Sequence, residues 1–313
     1  MKQSFSFKPA EWIPFKDAEA LERCRKITRE EMENYPHPNP EYRVRVVEDP
    51  NSAVAGELFM QLKKSDEEDT HLVAIFANSW KNIYESVTEA CNKFNVNCRN
   101  LHAFCMDEWA DSDGNVAPVT YGPSLGGAFL REFYGHLRED LRPPIEQIHV
   151  FTNDNVDCYS ELIEEAGEGA ADLVVSATGW IGHTAFIDPN TKAFGTDSLD
   201  EFLTFGTRFI ETHPMTVIQN SLGFGGAGDM ANTPGYAVTV GPKDVVNARD
   251  HLERHNLTFT GGYNSWERMV SRMQLYGPVT PSVPASIYQL CKGTVYVSEA
   301  IAQPFNISEK VNY

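Results

Sequence analysis

Residues 171–189 read ADLVVSATGWIGHTAFIDP, and the fold turns on how this stretch is read. Ala171 to Ser176 is a run of small, mostly apolar residues, of the length and composition of a strand covered on both faces. It runs into a glycine turn, after which His183 sits between Gly182 and Thr184 and the segment closes on Asp188-Pro189. A buried strand that delivers an imidazole at its carboxyl end belongs to an open parallel sheet, where ligands bind beyond that edge. Trp180 and Ile181 stand where such a loop is expected to carry polar groups.

Working outward, strands and helices alternate. Arg43–Val47, Leu72–Phe76, Arg99–Cys105 and His149–Phe151 read as strands. Ser52–Lys64, Trp80–Phe94, Leu125–Leu137 and Asp157–Glu168 read as helices between them. Beyond residue 190, Ala237–Val240, Leu257–Thr260 and Thr294–Val297 are expected strands and Ser265–Leu275 a helix. Strands that are continuous apolar runs, separated by amphipathic helices, predict an α/β protein: a mostly parallel, Rossmann-like sheet with helices on both faces. Residues 1–40 read as an N-terminal helical extension, with a charged helix over Lys16–Asn34 ended by YPHPNP, and residues 41–313 as the α/β domain.

The 313-residue chain is long enough for an ample core, and 42% hydrophobic with 22% charged residues is ordinary for a globular protein. A formal charge of −18 disfavours nucleic acid and anionic membrane surfaces. Six cysteines form no C-x-x-C pair, the first residues contain no apolar signal core, and no window approaches a membrane span. These features point to a reduced, cytoplasmic protein.

Three loops follow strands at the edge where ligands are expected: ANSW (77–80), MDEW (106–109) and the His183 loop. Asp107 and Glu108 are neighbours in an extended segment, so their side chains point to opposite sides. One carboxylate can face a cleft as a general base while the other anchors backbone; the plainer alternative is a turn or helix-cap aspartate. His183 has room to move between small neighbours, and Asp188 is close enough to orient it for proton transfer on a sugar or carbonyl compound. His251 and His255 are spaced i, i+4 but lack a third ligand, and read as a solvated helix and not a metal site. GFGGAGDM (223–230) is either a mobile loop or a ligand-facing one. There is no G-x-S-x-G elbow, no G-x-G-x-x-G after a strand and no Walker-type loop.

Taken together these segments resemble the glucosamine-6-phosphate deaminase family. FCMDEWADSDG (104–114) is similar to that family's F-x-M-D-E-Y, and GWIGHTAFIDP (179–189) to its G-x-x-G-x-D-G-H-I-A-F-N-E-P loop. AVTVG (237–241) and PASIYQL (284–290) match later segments in the same order, so the resemblance covers roughly residues 41–302. The related 6-phosphogluconolactonases also carry G-H-T-A, but Phe186 and Asp188-Pro189 fit the deaminase branch better. The resemblance implies that Asp107 shuttles a proton between C1 and C2, that His183 assists ring opening, and that Asp188 stands in for an orienting glutamate. It implies a structural role for Glu108 and neither metal nor organic cofactor.

The departures from the pattern are specific. Ile181 replaces an aspartate two residues before the histidine. ANSWKNIY (77–84) replaces a glycine-threonine phosphate loop, and GGYNSWERM (261–269) and QNSLGF (219–224) lack the family's later basic contacts. Asn78, Ser79, Lys81, Gly179, Trp180, Gly182 and Arg268 are the candidate substrate-binding residues. Trp80, Trp180, Tyr263 and Trp266 are candidate stacking platforms for a sugar, or plugs of a closed pocket. The expected function is a divergent sugar isomerase or deaminase whose substrate is not a standard hexosamine 6-phosphate. A catalytically weak sugar-binding homologue and a lactonase-type hydrolase are the alternatives. The expected partner is a small-molecule sugar or sugar derivative, with no nucleic acid and no membrane; a homo-oligomer is left open.

Overall fold

The run LVAIF forms strand β2 (Leu72–Phe76), every residue of which is buried. Its partners on either side are β3 (Leu101–Cys105) and β6 (Leu173–Ala177), both parallel to it. This three-strand centre comes from a computed structural model that describes residues 8–77, 80–223, 229–257 and 265–304. Adding β1 (Tyr42–Val47), β5 (Ile148–His149), β9 (Asp250–His255) and β10 (Gly293–Ser298) completes a seven-stranded parallel sheet in the order β1-β10-β9-β6-β2-β3-β5. From β2 the chain adds β3 and β5 in one direction; β6 then returns to the other side of β2, and the remaining strands extend away from it. The β2–β6 boundary is thus the topological switch point, where the connecting loops splay apart and leave a crevice at the carboxyl edge. A second, antiparallel sheet of β4 (Asp107–Ala110), β8 (Tyr236–Thr239) and β7 (Arg208–Glu211) stands over that edge.

Helices cover the main sheet. In chain order they are α1 (Ala18–Lys26), α2 (Arg29–Met32), α3 (Pro50–Glu68), α4 (Lys81–Phe94), α5 (Leu125–Glu132), α6 (Tyr159–Ala166), α7 (Leu199–Phe202), α8 (Pro214–Gly223), α9 (Pro242–Val246), α10 (Ser265–Tyr276) and α11 (Glu299–Ala302). Their ends follow local chemistry. Asp49 accepts from the Asn51 amide ahead of Pro50 to start α3, and Asn95 ends α4 in the left-handed region at φ 56°. The charged N-terminal helix is two helices: Thr28 and Glu31 form a capping box that restarts the chain as α2. Arg272, fully buried on α10, joins the two ends of the chain by donating to the carbonyls of Ile27, Ile301, Ala302 and Gln303.

The largest correction to the sequence reading concerns β9. DHLERH is a central strand between β6 and β10, not a solvated helix, and of the strand expected over Leu257–Thr260 only Leu257 is described, outside any strand. Residues 258–260 lie outside the described residues. His251, Glu253 and His255 of β9 are buried with hydrogen-bond partners on other segments. His251 sits between the carbonyls of Lys292 (2.9 Å) and Val245 (2.7 Å). Glu253 accepts from Tyr42 (3.1 Å) and Gln274 (2.6 Å), and His255 Nδ1 meets Ser271 at 2.8 Å. A hydrophobicity pattern cannot report partners that lie far away in sequence. Among the described residues, no helix is long and apolar enough to cross a membrane.

Candidate active site

The chain leaves β3 at Cys105, bends at Met106 and is extended again from Asp107 in β4, so the side chains of Asp107 and Glu108 diverge. Asp107 lines a cleft at the switch point. Glu108 turns the other way, to the start of α5. There it accepts from the amides of Trp109 (2.8 Å), Leu125 (3.0 Å) and Gly126 (2.9 Å) and from the Ser124 hydroxyl (2.6 Å). Burial pushes the Glu108 carboxyl above its usual range, against the opposing pull of these four donors.

The histidine loop is built by backbone geometry. The Gly179 amide donates to the His183 carbonyl at 2.9 Å, and Gly182, at φ +78°, donates back to the Gly179 carbonyl at 3.0 Å. A Cβ placed on Gly179 would lie 1.8 Å from His183 Nε2, so only glycine lets the imidazole rest there. The other ring nitrogen, Nδ1, is 2.6 Å from Asp188 Oδ1. Thr216 on α8 donates to the same oxygen at 2.7 Å, and the His213 amide donates to Oδ2 at 2.7 Å. Asp188 is completely buried, with both oxygens engaged. A carboxylate held in this way keeps the proton on Nδ1 and leaves Nε2 to exchange protons with a ligand. Thr239 couples this loop to the carboxylate strand: it is the register partner of Asp107, and its hydroxyl accepts from the Phe186 amide at 3.1 Å.

The loop divides two hollows. The larger, about 570 Å³, lies behind it and is walled by Phe15, Ile181, Met269, Val270 and Val283, with Arg25 its one charged residue among the described residues. The smaller, about 120 Å³, is the switch-point cleft, and it holds Asp107, His183, Gln219, Asn220 and Arg254 beside Trp80. Size favours the first as a ligand cavity, but only the second contains groups able to move protons, so the chemistry is placed there.

The expected site residues separate accordingly. Asp107, His183 and Gly179 line the cleft and Asp188 lies directly behind His183. Gly182 forms the turn, against Val283. The Trp180 amide donates to Gln219 (2.8 Å) and its indole to Glu267 (3.2 Å). Lys81 is exposed, 3.7 Å from Glu85. Arg268 donates to the Ala300 carbonyl at 2.8 Å. Neither of these two cations lines the cleft. Asn78, Ser79 and Tyr263, the side chain of Trp266 and most of the glycine-rich 223–230 segment lie outside the described residues. Four cleft or support residues went unread in the sequence: Thr216, Gln219, Asn220 and Arg254. The first three sit on α8, which carries no motif of its own, and Arg254 was concealed in the misassigned β9. Among the described residues no group of three or more His, Cys, Asp or Glu side chains is placed to hold a metal.

The chain is 31% identical over 213 residues to a glucosamine-6-phosphate deaminase of Lachnoclostridium phytofermentans, spanning 66% of this chain and 77% of that one. It is 27% identical over 224 residues to the glucosamine-6-phosphate deaminase of Corynebacterium kroppenstedtii, covering 70% and 76%. No family model matches. Among solved structures, a monomeric glucosamine-6-phosphate deaminase superposes with a TM-score of 0.67 at 16% identity, over 83% of this chain and 98% of the other. The 6-phosphogluconolactonase of Trypanosoma cruzi superposes with a TM-score of 0.58 at 15% identity, over 89% and 100%. The structural likenesses establish the shared α/β architecture.

Proposed function

The chain belongs to the glucosamine-6-phosphate deaminase family, and on that premise we propose that it is a sugar isomerase or deaminase working through Asp107 and His183. The observation that carries this reading is the convergence on one cleft of a carboxylate from β4 and an imidazole whose far nitrogen is held by a buried carboxylate. In the proposed cycle, His183 Nε2 takes the proton of the C1 hydroxyl and gives it to the ring oxygen, breaking the C1–ring-oxygen bond and opening the sugar. Asp107 then removes the proton from C2 and returns it at C1, or the reverse, through an enediol or enolamine. An amino sugar would be left as its C2 imine, which water hydrolyses to the ketose with release of ammonia; a plain aldose would stop at the ketose. Glu108 acts by holding the start of α5 against β4.

The substrate is proposed to differ from a standard hexosamine 6-phosphate. Lys81 and Arg268, the cations expected from the sequence to replace the family's phosphate contacts, both lie outside the cleft. Ile181 faces the apolar hollow and leaves His183 with one carboxylate partner, so ring opening is expected to be slower than in a loop carrying two. A lactonase reading is less well supported, because the residue after Glu108 is Trp109, buried with its indole donating to the Pro123 carbonyl.

Solvent deuterium exchange into C1 or C2 of a candidate sugar, followed by NMR, tests the proposal. Exchange should occur with the wild type and fall by roughly 10²–10⁴-fold in Asp107→Asn. Exchange that survives this substitution, or its absence across aldoses, amino sugars and their acids and phosphates, would end the isomerase reading.

A further inference from the structure

Among the described residues, Arg254 is the only lysine or arginine lining the cleft. The internal segments outside the described residues, 78–79, 224–228 and 258–264, contain no lysine or arginine, so none of them adds a second cation. Arg254 stands at the carboxyl end of β9, in register with Ala177, the last residue of the strand that feeds the histidine loop. Its guanidinium lies 4.9 Å from the Trp80 ring centroid, and one terminal nitrogen donates to Asn51 at 2.9 Å. Nε is buried without a hydrogen-bond partner. No carboxylate among the described residues forms an ion pair with it, and Glu267 acts on it only through space. Trp80 also precedes α4, whose first turn has no side-chain cap, so the positive end of that helix adds to the potential on this side of the cleft.

A partly buried guanidinium with no ion-paired carboxylate among the described residues is costly to maintain for packing alone. The planar fork, backed by an aromatic face and fixed at one nitrogen, is suited to a planar monoanion that accepts two parallel hydrogen bonds. A phosphate dianion would meet one compensating cation, in a chain whose formal charge is already −18.

Building on the isomerase reading above, we propose that Arg254 selects the substrate by binding a carboxylate, so that the enzyme acts on a sugar acid of the uronate or amino-uronate class. The sugar ring lies between this anchor and the Asp107–His183 pair, and Trp80 lies beneath the guanidinium at the carboxylate end. The anchor is a binding contact and takes no part in the proton transfers.

Binding is measured apart from turnover, by thermal shift and calorimetry on the full chain carrying Asp107→Asn. The probes are glucuronate, 2-amino-2-deoxyglucuronate, glucosamine, glucosamine 6-phosphate and inorganic phosphate. One of the two acids should bind at least about tenfold more tightly than glucosamine and than glucosamine 6-phosphate. Adding Arg254→Gln should abolish that preference, and Arg254→Lys, which keeps the charge but loses the fork, should retain part of it. If the glutamine variant fails to fold, the lysine variant decides: weaker acid binding supports the assignment and unchanged binding overturns it. Tighter binding of glucosamine 6-phosphate or of inorganic phosphate would show a phosphate site and overturn the carboxylate class. Lower stability in both variants with the acid preference intact would reduce Arg254 to a structural residue. These outcomes are independent of deuterium exchange, so the anchor can fail while the isomerase reading stands, and the reverse.

Discussion

The two sides of the 178–188 loop differ in kind. On the cleft side, His183 and Asp188 are fixed by hydrogen bonds from Thr216, the His213 amide and the loop's own glycines. On the other side, only two residues before the histidine, Ile181 is buried among the apolar walls of the larger hollow. A five-residue turn that reverses direction at Gly182 separates the proposed proton-transfer centre from an apolar hollow. The contrast shows that the polar frame of the site and the identity of its neighbours can change independently. The imidazole is held by the Asp188 carboxylate and the Thr216 hydroxyl, not by the side chain at position 181.

The sharpest way to break this contrast is at Gly179. A methyl group there collides with the His183 ring, which must swing off Asp188. Gly179→Ala is expected to lower kcat by about 10²-fold, the usual consequence of moving a catalytic group by roughly 1 Å, with circular dichroism unchanged. A variant as active as wild type would show that the imidazole position does not matter.

Ile181→Asp tests the opposite side. The family pattern would suggest a gain of function, but the structure places the new carboxylate in an apolar wall. We expect a loss of ~1–3 kcal/mol in urea unfolding and no rise in exchange rate. Increased exchange would mean that the loop can turn residue 181 into the cleft.

Glu108 sharpens the comparison through pH. Its folded pKa is raised, so folding favours the protonated form. The stability this contributes is fully present below the unfolded value near 4.5 and is lost as pH rises through the folded value. The Tm of Glu108→Gln relative to wild type should therefore be more favourable at neutral pH than at pH 4. A difference that does not vary with pH would remove Glu108 as a titrating element. The smallest effect is expected for Lys81→Ala. This exposed side chain loses only a 3.7 Å surface pair, so stability should stay within about 0.5 kcal/mol and sugar binding should be unchanged.

Much of the architecture was readable because it depends on local patterns. LVAIF and the 171–176 run are strands from composition alone, and the alternation at Asp107–Glu108 separates a cleft carboxylate from an anchoring one without reference to any other residue. The glycines of the histidine loop announced a tight turn, although not that Gly179 makes room for the ring itself. The α8 residues were unreadable for a different reason: Thr216 and Gln219 matter through single hydrogen bonds to residues 28 and 39 positions away.

By itself, then, the sequence determined the parallel α/β fold, the crevice edge and the presence there of Asp107, His183 and Asp188. Hydrophobic period, strand alternation and turn chemistry are properties of a few consecutive residues. Tertiary structure alone decided that DHLERH is a central strand, that Ile181 faces away from the chemistry, and that Arg254 supplies the cation of the cleft. Each of those outcomes rests on burial and on partners such as Tyr42, Gln274 and Ser271, brought together only when the chain closes on itself.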